Sequence, residues 1–324
     1  MEAQIYNEVN LMKPLHIDTP FLESLPISKK TGCQIFLKME ALQPTGSFKI
    51  RGIGYLCSQL AKDGANRFVT TSAGNAGLAV AYAGHKLNIP VTVVVWNTVS
   101  EIIRDKLRRE GAEIVVHGND WIEANVFAQS MCKEKGVCFV HPFDHPLLWK
   151  GHASMIHEVK KVGIKPCAVV VAVGGGGLLC GVIQGLHEVG WKDVPVFTAE
   201  TSGAASLAES MKAGKLITLD TIDTIALSLG ARRIAEEAFA WAHKHPVIPL
   251  VVSDAQAVNA VFQFADDQRV LVEPACGAAL AVVYDKNPEL MNYEKILIIV
   301  CGGCGVSLDL IEKWKESFGK SREK

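Results

Sequence analysis

A run of six apolar residues, 168–173 (AVVVAV), leads straight into four consecutive glycines, Gly174, Gly175, Gly176 and Gly177. A strand that is apolar on both faces belongs inside a parallel sheet covered by helices. The glycines demand a turn in which the backbone comes close to something else. Two more runs of this kind, 91–96 (VTVVVW) and 296–301 (ILIIVC), also end at turn or glycine residues. Shorter strands are predicted at 33–39, 68–71, 112–116, 138–141, 194–199 and 247–252. Helical patterns separate them, at 48–63, 78–87, 100–109, 121–135, 152–162, 178–189, 204–213, 232–243, 254–266, 276–284 and after Gly303.

Strands alternating with helices define an α/β chain, read here as two lobes with parallel twisted sheets flanked by helices. The pattern divides near residue 146, which leaves a small domain at 46–146 and a large one built from 1–45 plus 147–324. Ligands of such sheets sit at the carboxyl ends of strands, so the active site is expected in the cleft between the lobes. Four distinctive stretches fall at strand ends or turns: 46–52, 72–77, 174–177 and 301–305.

The balance of charge excludes some functions. A net charge of −1 over 324 residues offers no basic footprint for nucleic acid. No apolar run reaches the length of a membrane span; the longest candidate, around 167–183, is broken by the run of four glycines at 174–177. The first residues carry Glu2 and Glu8 and show neither a secretory nor a transit pattern. Nine scattered cysteines, several inside apolar runs, read as reduced thiols, and a cytoplasmic location is expected.

Lys49 lies in Gly46-Ser47-Phe48-Lys49-Ile50-Arg51-Gly52, where Ser47 is a candidate helix cap. A lysine in an apolar setting loses its proton easily and becomes a nucleophile. Taken alone, an ordinary surface lysine is the commoner reading. The glycine run favours an anion cradle at a helix start. A dinucleotide fingerprint fails at Leu179, where its third glycine would fall, yet Glu200 stands about where a ribose-binding acid would. On this half alone a nicotinamide reading stays open. Ser72-Ala73-Gly74-Asn75-Ala76-Gly77 suits a substrate carboxylate and a capped helix start equally well. Cys301-Gly302-Gly303-Cys304 is either a redox pair or a buried Cys301 packed against a ligand. The histidines His141, His145, His152 and His157 lack the partners of a zinc site and read as solvated or packed.

Together the stretches QPTGSFKIRGIG, TSAGNAG, PFDHPLLWKGH, VGGGGLLCGV, LVEPACGAALA and IVCGG resemble the fold-type II enzymes that use pyridoxal 5′-phosphate (PLP). Within them the chain is most similar to the mammalian-type L-serine dehydratase / L-threonine deaminase group, over nearly its whole length. The resemblance implies that Lys49 carries PLP as a Schiff base and moves the substrate α-proton. It implies that Phe48 packs on the pyridine ring and that Gly174, Gly175, Gly176 and Gly177 hold the phosphate. Asn75 would bond the ring hydroxyl, and Cys301 would face the ring nitrogen. Ser72, Ala73, Gly74, Asn75 and Ala76 would take the substrate carboxylate. A structural monovalent cation, expected to be potassium, would be held by the Glu200 side chain and the backbone oxygens of Gly174, Ala204, Leu229 and Ala231. The implied reaction turns L-serine into pyruvate and ammonia, and L-threonine into 2-oxobutanoate. A homodimer acting on a small amino acid is implied, with no nucleic acid or membrane partner. Serine racemase, a β-replacement activity and a catalytically weak PLP-binding paralogue are the alternatives. The chain departs from the group at Cys304 and Gly305, where Ser then Asn is common, and at Trp96-Asn97, where a proline-containing turn is usual.

Overall fold

The computed structural model describes residues 13–318. Glu2 and Glu8, on which the reading of the N-terminus rests, lie outside the described residues. The strands are β1 (Phe21–Glu23), β2 (Gln34–Lys38), β3 (Arg67–Thr70), β4 (Val91–Val95), β5 (Glu113–Val116), β6 (Val137–Phe139), β7 (Ala168–Ala172), β8 (Val196–Thr201), β9 (Val247–Val252) and β10 (Lys295–Ile299). The helices are α1 (Leu25–Thr31), α2 (Lys49–Lys62), α3 (Asn75–Leu87), α4 (Glu101–Arg109), α5 (Trp121–Met131), α6 (Pro146–Val162), α7 (Gly177–Glu188), α8 (Ser206–Ala213), α9 (Glu236–Lys244), α10 (Asp254–Gln268), α11 (Pro274–Tyr284) and α12 (Leu308–Phe318). They fall into two compact units: Met1–Ile17 with Gln43–His152, and Asp18–Leu42 with Ala153–Lys324.

The first unit has a four-stranded sheet in the order β5-β4-β3-β6, parallel throughout. Side chains alternate across it as the pleat requires. Phe68, Val93 and Val95 face one core with Ile50, Ile53 and Leu56 of α2 and Ala79, Val80 and Ala83 of α3. Val69 and Val94 face the other side, where Ala124 and Ala128 of α5 cover them. Both faces are thus buried, which explains why β4 reads as one unbroken apolar run.

The second unit has a six-stranded sheet in the order β1-β2-β10-β7-β8-β9. All its pairs are parallel except β1 with β2, where Phe21 opposes Lys38. Helix α11 is buried along its whole length. Gly277 lets it close on α10, because a β-carbon there would lie 2.2 Å from the Ala257 carbonyl oxygen.

Several boundaries differ from those expected. Helix α2 begins at Lys49 itself with Phe48 as its N-cap, and the Ser47 hydroxyl is buried without a protein partner instead of capping it. Helix α3 starts three residues early, because Gly74 takes the N-cap position. Helix α6 starts at Pro146, a residue suited to a first helical turn because its missing N–H costs nothing there. Helix α9 starts at Glu236, later than expected. Residues before it are held elsewhere: Leu219 N donates to Arg232 O, and Ala235 N donates to Gly175 O. Strand β1 and helix α1 were not anticipated.

Candidate active site

In the first unit, Gly46 makes the turn into α2 with φ at +71°, a conformation that favours glycine. Lys49 is the first residue of α2, and its Nζ donates to the Pro142 carbonyl oxygen at 2.7 Å. The same Nζ lies 5.2 Å from the centre of the Phe48 ring. Phe48 also packs at 4.9 Å against the imidazole of His152. His152 is buried, and its Nδ1 has no hydrogen-bond partner among the described residues. Burial lowers its pKa well below the ordinary value, and the charges of Lys49, Arg51 and His16 lower it further. Gly52 permits this packing, since a β-carbon there would come within 2.6 Å of the His152 ring.

Thr45 Oγ1, Ser47 Oγ and His152 Nδ1 are therefore three buried polar atoms, on or packed against the Lys49 segment, that no group among the described residues satisfies. Buried polar groups left this way need a ligand or water. His141 also belongs to this environment. Burial, then the charges of Lys49 and His145, bring its pKa down to about 4.

Ser72 to Ala76 form the entry to α3. Ser72 Oγ accepts from Gly74 N at 3.4 Å, and Asn75, buried, is the first helical residue. Gly77 is required, because a β-carbon there would lie 1.9 Å from the Ser72 carbonyl oxygen. The first amides of a helix have no intrahelical acceptor, so a turn of this kind suits an anion. Ala73 and Ala76 contribute to the apolar core beside it.

In the second unit, Gly174 follows β7 closely, and a β-carbon on it would meet the Ser228 carbonyl oxygen at 2.8 Å and Leu229 Cα at 3.1 Å. Gly175 O accepts from Ala235 N at 3.0 Å. Gly176 has φ at +89°, and Gly177 is the first residue of α7. The run is thus a side-chain-free cradle opening onto a helix N-terminus, the chemistry a phosphate requires.

Glu200 is fully buried; its two carboxylate oxygens accept from Leu207 N and Ala208 N, each at 2.8 Å. Burial raises its pKa to about 7, against the pull of those two amides. The Glu200 carboxyl is fully buried and so not open to a ribose, and the nicotinamide reading loses its acid. For the predicted cation set, Gly174 adjoins Leu229, and Ala231 N donates back to Leu229 O at 2.7 Å. Ala204 N donates to Thr201 O at 2.9 Å. Carbonyl oxygens and one carboxylate are the donor type an alkali cation takes.

Cys301 follows β10 and is buried. Its thiol is hydrogen-bonded to Cys276; that bond, burial and the charge of Glu273 push its pKa well up. All nine cysteines are free thiols, so Cys301 and Cys304 form no disulfide. A thiol so protonated is a poor nucleophile, which counts against Cys301 as the attacking thiol of a redox pair. Glu273 holds the loop that follows. It occupies the N-cap position of α11 without capping it, and its Oε2 accepts from Gly305 N at 3.1 Å.

Sequence reasoning gave no role to His141, His152, Cys276 or Glu273. Glu273 and Cys276 stand in LVEPACG and the two histidines in or beside PFDHPLLWKGH, so the stretches were visible although the roles were not. His157 is solvated as expected and pairs with Glu188 at 2.7 Å. Among the described residues no three His, Cys, Asp or Glu side chains gather to hold a metal ion.

The first unit thus has a lysine at a helix start with unsatisfied polar atoms near it, and the second has a glycine run ahead of a helix. The family model for pyridoxal-phosphate dependent enzymes matches residues 12–302, and the chain belongs to that family. It is 47% identical to the L-serine dehydratase/L-threonine deaminase of Bos taurus, over 95% of this chain and 97% of the other. It is 46% identical to the serine dehydratase-like protein of Homo sapiens, over 95% of this chain and 96% of that one. Among solved structures, a fungal L-serine ammonia-lyase from Rhizomucor miehei superposes with a TM-score of 0.89 at 35% identity, covering 94% of this chain and all of the other.

Proposed function

We propose that the chain is a PLP-dependent ammonia-lyase that converts L-serine to pyruvate and ammonia, and L-threonine to 2-oxobutanoate and ammonia. The observation that carries this reading is Lys49, with its amine on the Pro142 carbonyl oxygen and unsatisfied buried polar atoms about it. The names of the relatives supply the substrates. When bound, PLP supplies a carbonyl that condenses with amines and a ring that takes up the electrons of a broken Cα–H bond.

The chain's own residues divide the remaining work. Lys49 Nζ holds the cofactor and, once free, moves the substrate α-proton, with Pro142 O as the acceptor that orients it. Phe48, backed by His152, offers an aromatic face. The amides after Gly74, with Ser72 Oγ, bind the substrate carboxylate, and Asn75 takes the ring hydroxyl. The amides of 174–177 bind the phosphate. Cys301, a neutral thiol paired with Cys276, would not hold a proton on a ring nitrogen as an aspartate does, which favours elimination over transamination and racemisation. Potassium on Glu200, Gly174, Ala204, Leu229 and Ala231 would stabilise the loops that carry the cradle. The reading includes the domain division at 46–146, a homodimer and a cytoplasmic location. In support, no helix among the described residues is long and apolar enough to cross a membrane.

The test is product analysis of the PLP-loaded protein with L-serine. Pyruvate and ammonium in equal amounts are expected. D-serine as the main product would favour a racemase, and no turnover with a fully loaded cofactor would favour a binding paralogue.

A further inference from the structure

Lys49 donates to the Pro142 carbonyl oxygen, and that oxygen belongs to a turn with an unusual fastening. Pro142 follows β6 by three residues, and its ring fixes its own φ and biases His141 before it toward extended backbone. The chain then bends, and His141 Nδ1 accepts the amides of Phe143 at 3.3 Å and Asp144 at 2.8 Å. An asparagine or aspartate oxygen commonly closes a turn in this way; here an imidazole does so. Accepting at Nδ1 leaves the ring proton on Nε2. The ring itself is held edge-on by Phe143 at 4.7 Å and Phe139 at 6.2 Å.

We propose that His141 is a positioning residue for Lys49: by closing the turn over Phe143 and Asp144 through Nδ1, it fixes the Pro142 carbonyl oxygen that orients the lysine amine. The inference rests on the functional reading above, in which Lys49 is the group that moves the proton. A protonated imidazole would turn an N–H onto two amide donors and open the turn. Burial and the neighbouring charges of Lys49 and His145 keep the ring neutral, so the clamp is present at ordinary pH. A base displaced by an ångström loses rate far more than it loses substrate binding.

The test exploits the geometry of amides. In His141→Asn the side-chain oxygen stands near the Nδ1 position and can accept the same amides. In His141→Gln the amide stands near Nε2 and cannot close that turn. Both are made in the full chain, loaded with PLP. Hydrogen exchange of the 143–144 amides reads the turn, and kcat and KM for L-serine read the lysine. His141→Asn is expected to keep those amides protected and kcat within about threefold of wild type. His141→Gln is expected to speed their exchange and to lower kcat by about ten- to a hundredfold, with KM changed much less. The reverse order of activities would overturn the proposal, because the Nε2 side of the ring would then be the working one. So would two variants with unchanged kcat, or a His141→Asn that protects the amides and is as slow as His141→Gln. A wild-type protein that takes up no PLP would overturn the functional reading and this inference with it; a loaded, active wild type isolates the inference.

Discussion

Glu273 occupies the space that a side chain at Gly303 would need: a β-carbon on Gly303 would lie 2.0 Å from the Glu273 carboxyl carbon. Gly303 also has φ at +127°, outside the range of L side chains. Gly303, in the loop after β10, and Glu273, the residue before α11, are therefore fitted to each other in the second unit. Gly303→Ala must displace the carboxylate and strain the backbone, and is expected to cost about 2–4 kcal/mol of stability. Urea unfolding measures it. Adding Glu273→Ala should return the steric part of that loss but not the strain, so the double variant should lie between Gly303→Ala and wild type.

Gly176 tests the cradle. It has φ at +89°, and a β-carbon there would lie 2.4 Å from Ala238 Cβ. Gly176→Ala is expected to weaken PLP binding at least about tenfold, roughly 1.4 kcal/mol, as measured by fluorescence titration of the apo-protein. Gly190 is the control, with φ at +80° and open space where a β-carbon would stand. Gly190→Ala should cost about 1 kcal/mol of stability and leave PLP affinity unchanged.

How much of this was legible beforehand depended on whether a feature is local. Strands β4 and β7 are buried on both faces, so their apolar runs announced a parallel sheet. Strand β1 is a three-residue antiparallel edge with the sequence FLE, too short for any period to show. Helix α9 misled because residues 232–235 are helix-compatible but are captured by partners at Leu219 and Gly175. In the candidate site, the glycine run and the lysine were readable as motifs. The work of His152, far along the chain from Phe48, was not, because the Phe48–His152 packing exists only once α2 and α6 have met in the first unit. The Glu273–Gly303 fit is hidden for the same reason.

The histidines of the first unit set a pH dependence. His141 has its pKa lowered from 6.5 to about 4 in the folded chain. Between those values the unfolded chain binds a proton that the folded chain does not, so stability rises with pH across this window and falls as the medium is acidified. The half-buried ring limits the effect to about 1–3 kcal/mol. His152, also lowered, acts with the same sign. Denaturant unfolding from pH 7 down to pH 4 should show this slope, and His141→Asn should flatten it. A slope unchanged by that substitution would show that His141 is not the group responsible.

The central claim is that Lys49 is the residue that holds the cofactor. The direct measurement is to load the full chain with PLP, reduce it with borohydride, digest it and locate the modified residue by mass spectrometry. The account predicts a single phosphopyridoxyl group on Lys49, in the peptide that begins after Lys38, and none in Lys49→Ala. A modified lysine elsewhere, or a loaded protein that carries no covalent adduct after reduction, would contradict it.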